Sequence, residues 1–343
     1  MPPADLAGPL WAVTSYFNPA GYRRRKANYR VFRERLPLPL LTVEWSPTGQ
    51  FELQPDDADI LIQLTGGDVM WQKERLLNIG VERLPSQCKH VAWVDCDLVF
   101  EREGLREAIL NALDAVPAVQ LYDRAAYVDR TPIEALARFG RCADRTITME
   151  RTGSAAAYVA AARSGTPMPV VPVATERMDE YKRLLSVGFA WAAHRELLER
   201  FPLFDEWVVG GGDTAFFHAI TGTPEQVVLN HGLAPGQRDH YLPRARALAN
   251  AFGGRIGYVP GRVFTLWHGD FSDRHYSSRH SILPRHDFDP RRFLRHSSSG
   301  VWEWADAPSG LPAEIRAYFE RRLEDGAGGG ALPSHRQVNL PSL

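Results

Sequence analysis

The run Trp93-Val94-Asp95-Cys96-Asp97-Leu98-Val99-Phe100 sets two carboxylates two residues apart at the end of an apolar stretch. Alternation along an extended chain puts Asp95 and Asp97 on one face and turns Cys96 away. Carboxylates held that close repel each other and stay ionised only with a cation between them. Hard oxygen donors beside a diphosphate are what Mg2+ or Mn2+ takes. A strand that simply ends in polar residues is the plainer explanation. The apolar strand ahead of the acids, at its expected carboxyl end, favours the metal.

Three further groups could do chemistry. Thr265-Leu266-Trp267-His268-Gly269 delivers a histidine from an apolar strand, as a third metal ligand or as a hydrogen-bonded strand end. Gly210-Gly211-Gly212-Asp213 opens a helix, where Asp213 serves as an N-cap, as a general base toward an acceptor hydroxyl, or as both. Arg274-His275-Tyr276-Ser277-Ser278-Arg279 offers guanidinium forks for phosphate, or for internal pairing with Asp270, Asp273, Asp287 and Asp289. There is no GxGxxG after the first strand and no GxxxxGK[ST], HExxH or GxSxG, so dinucleotide, P-loop, zincin and α/β-hydrolase readings lose their best support.

The elements that must position these groups alternate in period. Strands are expected at Leu10–Phe17, Leu40–Trp45, Asp59–Thr65, His90–Phe100 and Ala118–Asp123. Helical spacing covers Tyr22–Leu36, Met70–Leu84 and Gly104–Val116. Strand, helix, strand with short links predicts an α/β fold with a mainly parallel sheet flanked by helices, whose ligands sit beyond the carboxyl ends of the strands. From Arg124 to Glu176 the period weakens. This stretch reads as a surface excursion with a helix at Ser154–Ala162 and an extended MPVVPV at 168–173. A second block follows, with a strand at Val187–Trp191, helices at Ala193–Phe201, from Asp213 and at Gly236–Phe252, and short strands at Ile256–Val259 and Arg262–His268.

Composition sets the outer bounds. The 343 residues are 44% hydrophobic and 10% aromatic, enough to bury a full core and incompatible with wholesale disorder. Lys and Arg number 40 against 41 Asp and Glu. That balance argues against a protein that coats a polyanion, although arginine and histidine crowd the stretch from Arg262 to His296. Three cysteines, Cys88, Cys96 and Cys142, are too scattered for a disulfide framework. No signal peptide or spanning stretch is read, so a cytoplasmic location is expected.

Taken together and in order, VTSYFNP (13–19), TVEW (42–45), WQKERLLNIG (71–80), VAWVDCDLVF (91–100), VGFAWAA (187–193), GGGD (210–213), LWHG (266–269) and the following R-x-Y-x-x-R resemble GT-A glycosyltransferases, in particular a group of bacterial and phage-type enzymes. The resemblance spans the chain to about Trp304. It implies a GT-A fold with a nucleotide-sugar half (1–123) and an acceptor and catalytic half (124–304). Beyond these a C-terminal helix (305–326) is expected, and the Gly/Pro/Ser-rich composition after it reads as a disordered tail (327–343). The resemblance also implies Asp95, Asp97 and His268 around Mn2+ or Mg2+, with Asp97 the more direct ligand. Thr14, Tyr16 and Glu44 would lie around the nucleoside of a donor, a UDP-sugar by preference. Lys73 and Asn78 would lie near its ribose, sugar or diphosphate, with Arg274 and Arg279 on the leaving phosphates. Trp191 and Gly212 would face the acceptor, and Asp213 would be the base of an inverting transfer. The acceptor would be a glycan or a small molecule; a hydroxylated base in phage DNA is discouraged by the charge balance. A sugar-phosphate nucleotidyltransferase and a non-catalytic nucleotide- or glycan-binding module are the rival readings.

Overall fold

Strand β1 (Leu10–Phe17) is buried along its whole length, as a strand covered on both faces must be. Its alternate residues feed two cores. Trp11, Val13 and Phe17 point into one, and Leu10, Ala12 and Tyr16 into the other. The other strands are β2 (Leu40–Ser46), β3 (Ile60–Thr65), β4 (His90–Val94), β5 (Leu98–Phe100), β6 (Ala118–Gln120), β7 (Arg124–Val128), β8 (Ile147–Arg151), β9 (Ala190–His194), β10 (Gly257–Tyr258), β11 (Arg262–Thr265), β12 (Leu294–His296) and β13 (Trp302–Trp304). This computed structural model describes residues 6, 8–136, 147–151, 153–164, 185–270, 272–275 and 278–326.

The main sheet has the order β10-β6-β9-β4-β1-β2-β3. Its strands β4, β1, β2 and β3 run parallel, and β9 is inserted antiparallel between β4 and β6. The expected α/β class, with a mainly parallel sheet flanked by helices, is what the chain forms. A second sheet, β5-β11-β7-β8, stands at the carboxyl end of β4, and β12 and β13 pair as a separate hairpin.

Three expectations about elements change. The strand read over His90–Phe100 is two strands in two different sheets, so the Asp-Cys-Asp stretch is the turn between them. Alternation therefore does not hold there, and Cys96 faces the same cleft as its acidic neighbours instead of turning away. The segment after Arg124 is no surface excursion where it is described, because β7 pairs with β11 in the second sheet. The strand placed at Val187–Trp191 begins later, at Ala190. Phe189, with φ of 75°, sits in the left-handed region that an extended strand cannot use. The MPVVPV stretch and the tail 327–343 lie outside the described residues.

The helix Lys73–Glu82 lies directly on β1 and β2, and one glycine permits it. A Cβ at Gly80 would stand 2.5 Å from Val13 Cγ1 and 3.2 Å from both Leu41 and Val43. Val13 is β-branched and cannot swing aside. In an open helix Gly→Ala gains up to about 1 kcal/mol. At this contact overpacking costs about 1–3 kcal/mol, so Gly80→Ala is expected to destabilise. A urea midpoint that drops for this variant is the check, and one that rises would show the helix standing off the sheet.

Candidate active site

The carboxyl ends of β1 and β4 open into a cleft of about 260 Å³, where ligands of parallel sheets bind. Asp95, Asp97, Lys73, Asp213, His268 and Arg279 all line it, brought there from five separate stretches of chain.

Two ion-pair systems meet in this cleft. Lys73 Nζ lies 2.8 Å from Asp95 Oδ1 and 2.7 Å from Asp213 Oδ2. His268 Nδ1 lies 2.8 Å from Asp97 Oδ2 and 3.0 Å from the Leu266 carbonyl. Both neighbours of that nitrogen are acceptors, which assigns it the proton. The meeting of Asp97 and His268 is built by backbone. Leu98 pairs with Thr265 across β5 and β11, and the next bond runs from Leu266 N to the Asp97 carbonyl at 2.9 Å.

Electrostatics separates the two aspartates. Burial alone would lift Asp97, but His268, Arg274 and Arg25 outweigh it and hold the carboxyl below its ordinary value. Asp95 is pushed up to about 7 by burial, with Asp213 and Asp97 adding to it and Lys73 opposing. Glu74, buried next to this group, is pushed up to about 8 by burial against the pull of Lys73. Burial disfavours the Lys73 ammonium, yet Asp213, Asp95 and Glu74 hold its pKa well above the ordinary lysine value. Lys73 is therefore a fixed cation.

Asp213 is not the cap of its helix. The helix Gly212–Ile220 has Gly211 as N-cap, in a left-handed conformation, and no side-chain capping bond. The Asp213 carboxylate faces Lys73 instead, which separates the two roles left open by the motif. A Cβ at Gly212 would stand 2.5 Å from the Glu74 carboxyl carbon, so a larger residue there would displace the Glu74 side chain.

The remaining expected residues divide. Arg279 lines the cleft, where its guanidinium lies 5.5 Å from the Trp71 ring and donates to Tyr318 Oη at 3.1 Å. Arg274 is buried behind Asp97 and donates to the Gly269 carbonyl; Tyr276 and Ser277 of the same motif lie outside the described residues. Thr14, Tyr16, Glu44, Asn78 and Trp191 do not line the cleft. Thr14 donates to the Val94 carbonyl and Tyr16 to Glu52. Glu44 accepts from the backbone of Glu52 and Leu53 and from Gln63. Asn78 ties its helix to Leu203 and Asp205, and Trp191 is core against Phe216.

Sequence reasoning missed Arg25, Trp71, Glu74, His231, His280 and Arg322, which also line the cleft. Trp71 and Glu74 flank Lys73 within a quoted motif and were within reach. Arg322 was not, because its place depends on the C-terminal segment returning across the cleft mouth. There Glu324 bridges Arg25 and Arg322, and the Arg322 guanidinium lies 5.3 Å from the Trp71 ring.

Two carboxylates and an imidazole on one cleft have the right chemistry for Mn2+ or Mg2+. Asp97 with His268 is the better-suited part, being anionic and adjacent. Among the described residues no group of three or more His, Cys, Asp or Glu is gathered tightly enough to hold a metal; Asp95 stands against Lys73 instead.

His218, also in the cleft wall, gives a pH test of the fold. Burial lowers it to about 4 from 6.5, and Nδ1 contacts Thr223 Oγ1 at 2.9 Å. Between those values the unfolded chain binds the proton and the folded one does not, so stability falls as pH drops from 6.5 toward 4. The ceiling for this group is about 3 kcal/mol. His218→Gln is expected to flatten that part of the urea-midpoint profile relative to the parent; an unchanged slope would place the proton elsewhere.

No protein-family model matches the chain, and no curated protein matches its sequence. Solved structures are distantly alike. S. aureus TarS aligns at 11% identity with a TM-score of 0.33, over 92% of this chain and 43% of TarS. The mannosyltransferase PcManGT from Pyrobaculum calidifontis, solved with GDP-Man and Mn2+, aligns at 14% identity and a TM-score of 0.33, over 95% of this chain and 76% of its own. A putative glucose-1-phosphate thymidylyltransferase from Bacillus anthracis aligns at 11% identity and a TM-score of 0.32, over 80% and 95%. This chain thus spans less than half of TarS. Likenesses at these TM-scores carry no argument about chemistry, which rests on the cleft itself. No described helix is long and apolar enough to cross a membrane.

Proposed function

We propose that this chain is a GT-A glycosyltransferase that moves a sugar from a nucleotide-diphosphate donor, a UDP-sugar by preference, to an acceptor hydroxyl, with a divalent cation and with inversion. The observation that carries this reading is the convergence of Asp97, His268 and Asp213 on one cleft lined by arginine. Asp97, His268 and Asp95 would hold the Mn2+ or Mg2+, which supplies charge neutralisation to the departing diphosphate. Arg279, with Arg25 and Arg322 on the same wall, offers fixed cations to the same oxygens, where electrostatic demand is greatest. The Asp213 carboxylate, unencumbered by helix capping, takes the acceptor proton as its oxygen attacks the anomeric carbon. The acceptor itself would be a glycan or small molecule.

A thermal-shift panel tests this reading, using UDP, GDP and dTDP and their hexose conjugates with and without Mn2+. Binding to the folded state raises the melting temperature with affinity. The expected result is a rise for one nucleotide family that depends on Mn2+, together with slow release of free hexose from the matching conjugate. Release of pyrophosphate from a nucleoside triphosphate plus a sugar phosphate would replace this function with nucleotidyl transfer. Binding without hexose release by any conjugate, with any acceptor sugar tried, would make it a binding module.

A further inference from the structure

We infer that Lys73 is the positioning residue for Asp213, and so serves the acceptor side of the reaction and not the donor phosphates. The inference rests on the proposed role of Asp213 as base. Three features of the structure carry it.

Lys73 stands in the first turn of its helix, where the helix dipole disfavours a cation. Its side chain is 9% exposed, which costs an ammonium its hydration. Both penalties are met by the two carboxylates that clasp Nζ, Asp95 and Asp213. An ammonium so enclosed has two of its three donors directed at protein carboxylates, which hold it beside Asp213.

The second feature lies at the same oxygen of Asp213 that Lys73 contacts. A Cβ on Gly188 would stand 2.7 Å from Asp213 Oδ2 and 3.0 Å from its carboxyl carbon. Asp213 Oδ2 is therefore confined by both the Lys73 ammonium and the close approach of Gly188. The third is the backbone beside it, where Phe189 holds φ of 75°, a conformation a bulky residue keeps only when its surroundings enforce it. The same residue accepts from the Asp95 amide at 2.8 Å, which ties this backbone to the turn that carries the acids.

In this arrangement Asp95 anchors Lys73, Lys73 and Gly188 orient Asp213, and Asp213 meets the acceptor. A donor-side acid and the acceptor-side base are joined through one ammonium. A misplacement of about 1 Å in such a group costs on the order of 10²-fold in rate.

The test uses Lys73→Met, which keeps the length and removes the charge, Lys73→Arg, which keeps the charge, and Gly188→Ala, which pushes on Asp213 without touching Lys73. The probes are UDP-glucose and GDP-mannose with Mn2+, their binding measured by calorimetry and hexose release to water measured in a single turnover. For Lys73→Met the expected result is a dissociation constant within about threefold of the parent and a rate lower by on the order of 10²-fold. Lys73→Arg should recover at least part of that rate, and Gly188→Ala should reproduce the loss with binding intact. Weakening of binding in parallel with rate would overturn the inference and make Lys73 a donor ligand. Equal slowing by Met and Arg would overturn it as well. If the parent protein neither binds nor turns over either probe, the proposed function fails first. The position of Asp213 in a crystal structure of Lys73→Met then decides: a rotated carboxylate upholds the inference, and an unmoved one ends it.

Discussion

Asp97→Ala is expected to lower sugar transfer by on the order of 10³-fold and to remove the dependence of donor binding on divalent cation. The two acids of the turn between β4 and β5 are not equivalent. Asp95 is pushed up to about 7 and spends Oδ1 on Lys73. Asp97 is held low against its burial by His268, Arg274 and Arg25, so it is the dependable anion at neutral pH. The substitution should spare the fold, because the bond that joins β5 to the end of β11 uses the Asp97 carbonyl and not its side chain. Asp95→Asn should cost less, since Asp97 and His268 remain. Initial rates of nucleotide release and melting temperatures across a Mn2+ titration measure both effects. An Asp97→Ala protein with parental rate and an undiminished Mn2+ response would remove the metal from the mechanism.

The motifs whose residues line the cleft were legible because each is local. An acid pair after an apolar strand, a glycine loop with an acid and a histidine after a second apolar strand can be read without knowing the partners. Strands β1, β2 and β3 were legible for the same reason, since they are six to eight residues long and mostly apolar. The second sheet was not. Both segments read as strand, but β5 and β11 are only three and four residues long, and their pairing joins Leu98–Phe100 to Arg262–Thr265 from far along the chain. Nothing in either segment names the other. The same holds for charges: nothing in the sequence marks Arg25 and Arg322 as the two partners of Glu324. Conversely, a motif can hold a residue for the fold. Glu44, in the TVEW stretch, is spent on two backbone amides and on Gln63, bonds that keep the loop after β2 against the sheet.

Glu324→Gln is expected to destabilise the protein by about 3–5 kcal/mol, the cost of removing one partner from a buried ionic group. Glu324 is 1% exposed. Its Oε2 lies 2.6 Å from Arg25 Nε, and its Oε1 lies 2.6 Å from Arg322 Nε. Burial alone would raise it, yet Arg25 and Arg322 hold it far below the ordinary glutamate value. A depressed carboxylate lends stability that is complete above the unfolded-state value and fades as pH falls through the folded one. The parent should therefore lose a component of stability below about pH 4.5 that the variant has already lost. The consequences should reach the cleft. Next to Glu324, Asp325 accepts from the amides of Arg23 and Arg24 at the start of the Arg23–Arg35 helix, and so fastens the segment where an acid suits the helix dipole. The segment also rests on Gly269, where a Cβ would meet the Arg322 carbonyl at 2.9 Å, directly beside His268. Replacing Arg25, Glu324 and Arg322 together by apolar residues of similar volume should restore much of the stability, because no charge is left unpaired. It should not restore donor binding if the arginines neutralise phosphate. Recovery of both would reduce the arginines to scaffolding, and recovery of stability alone assigns them to the leaving group.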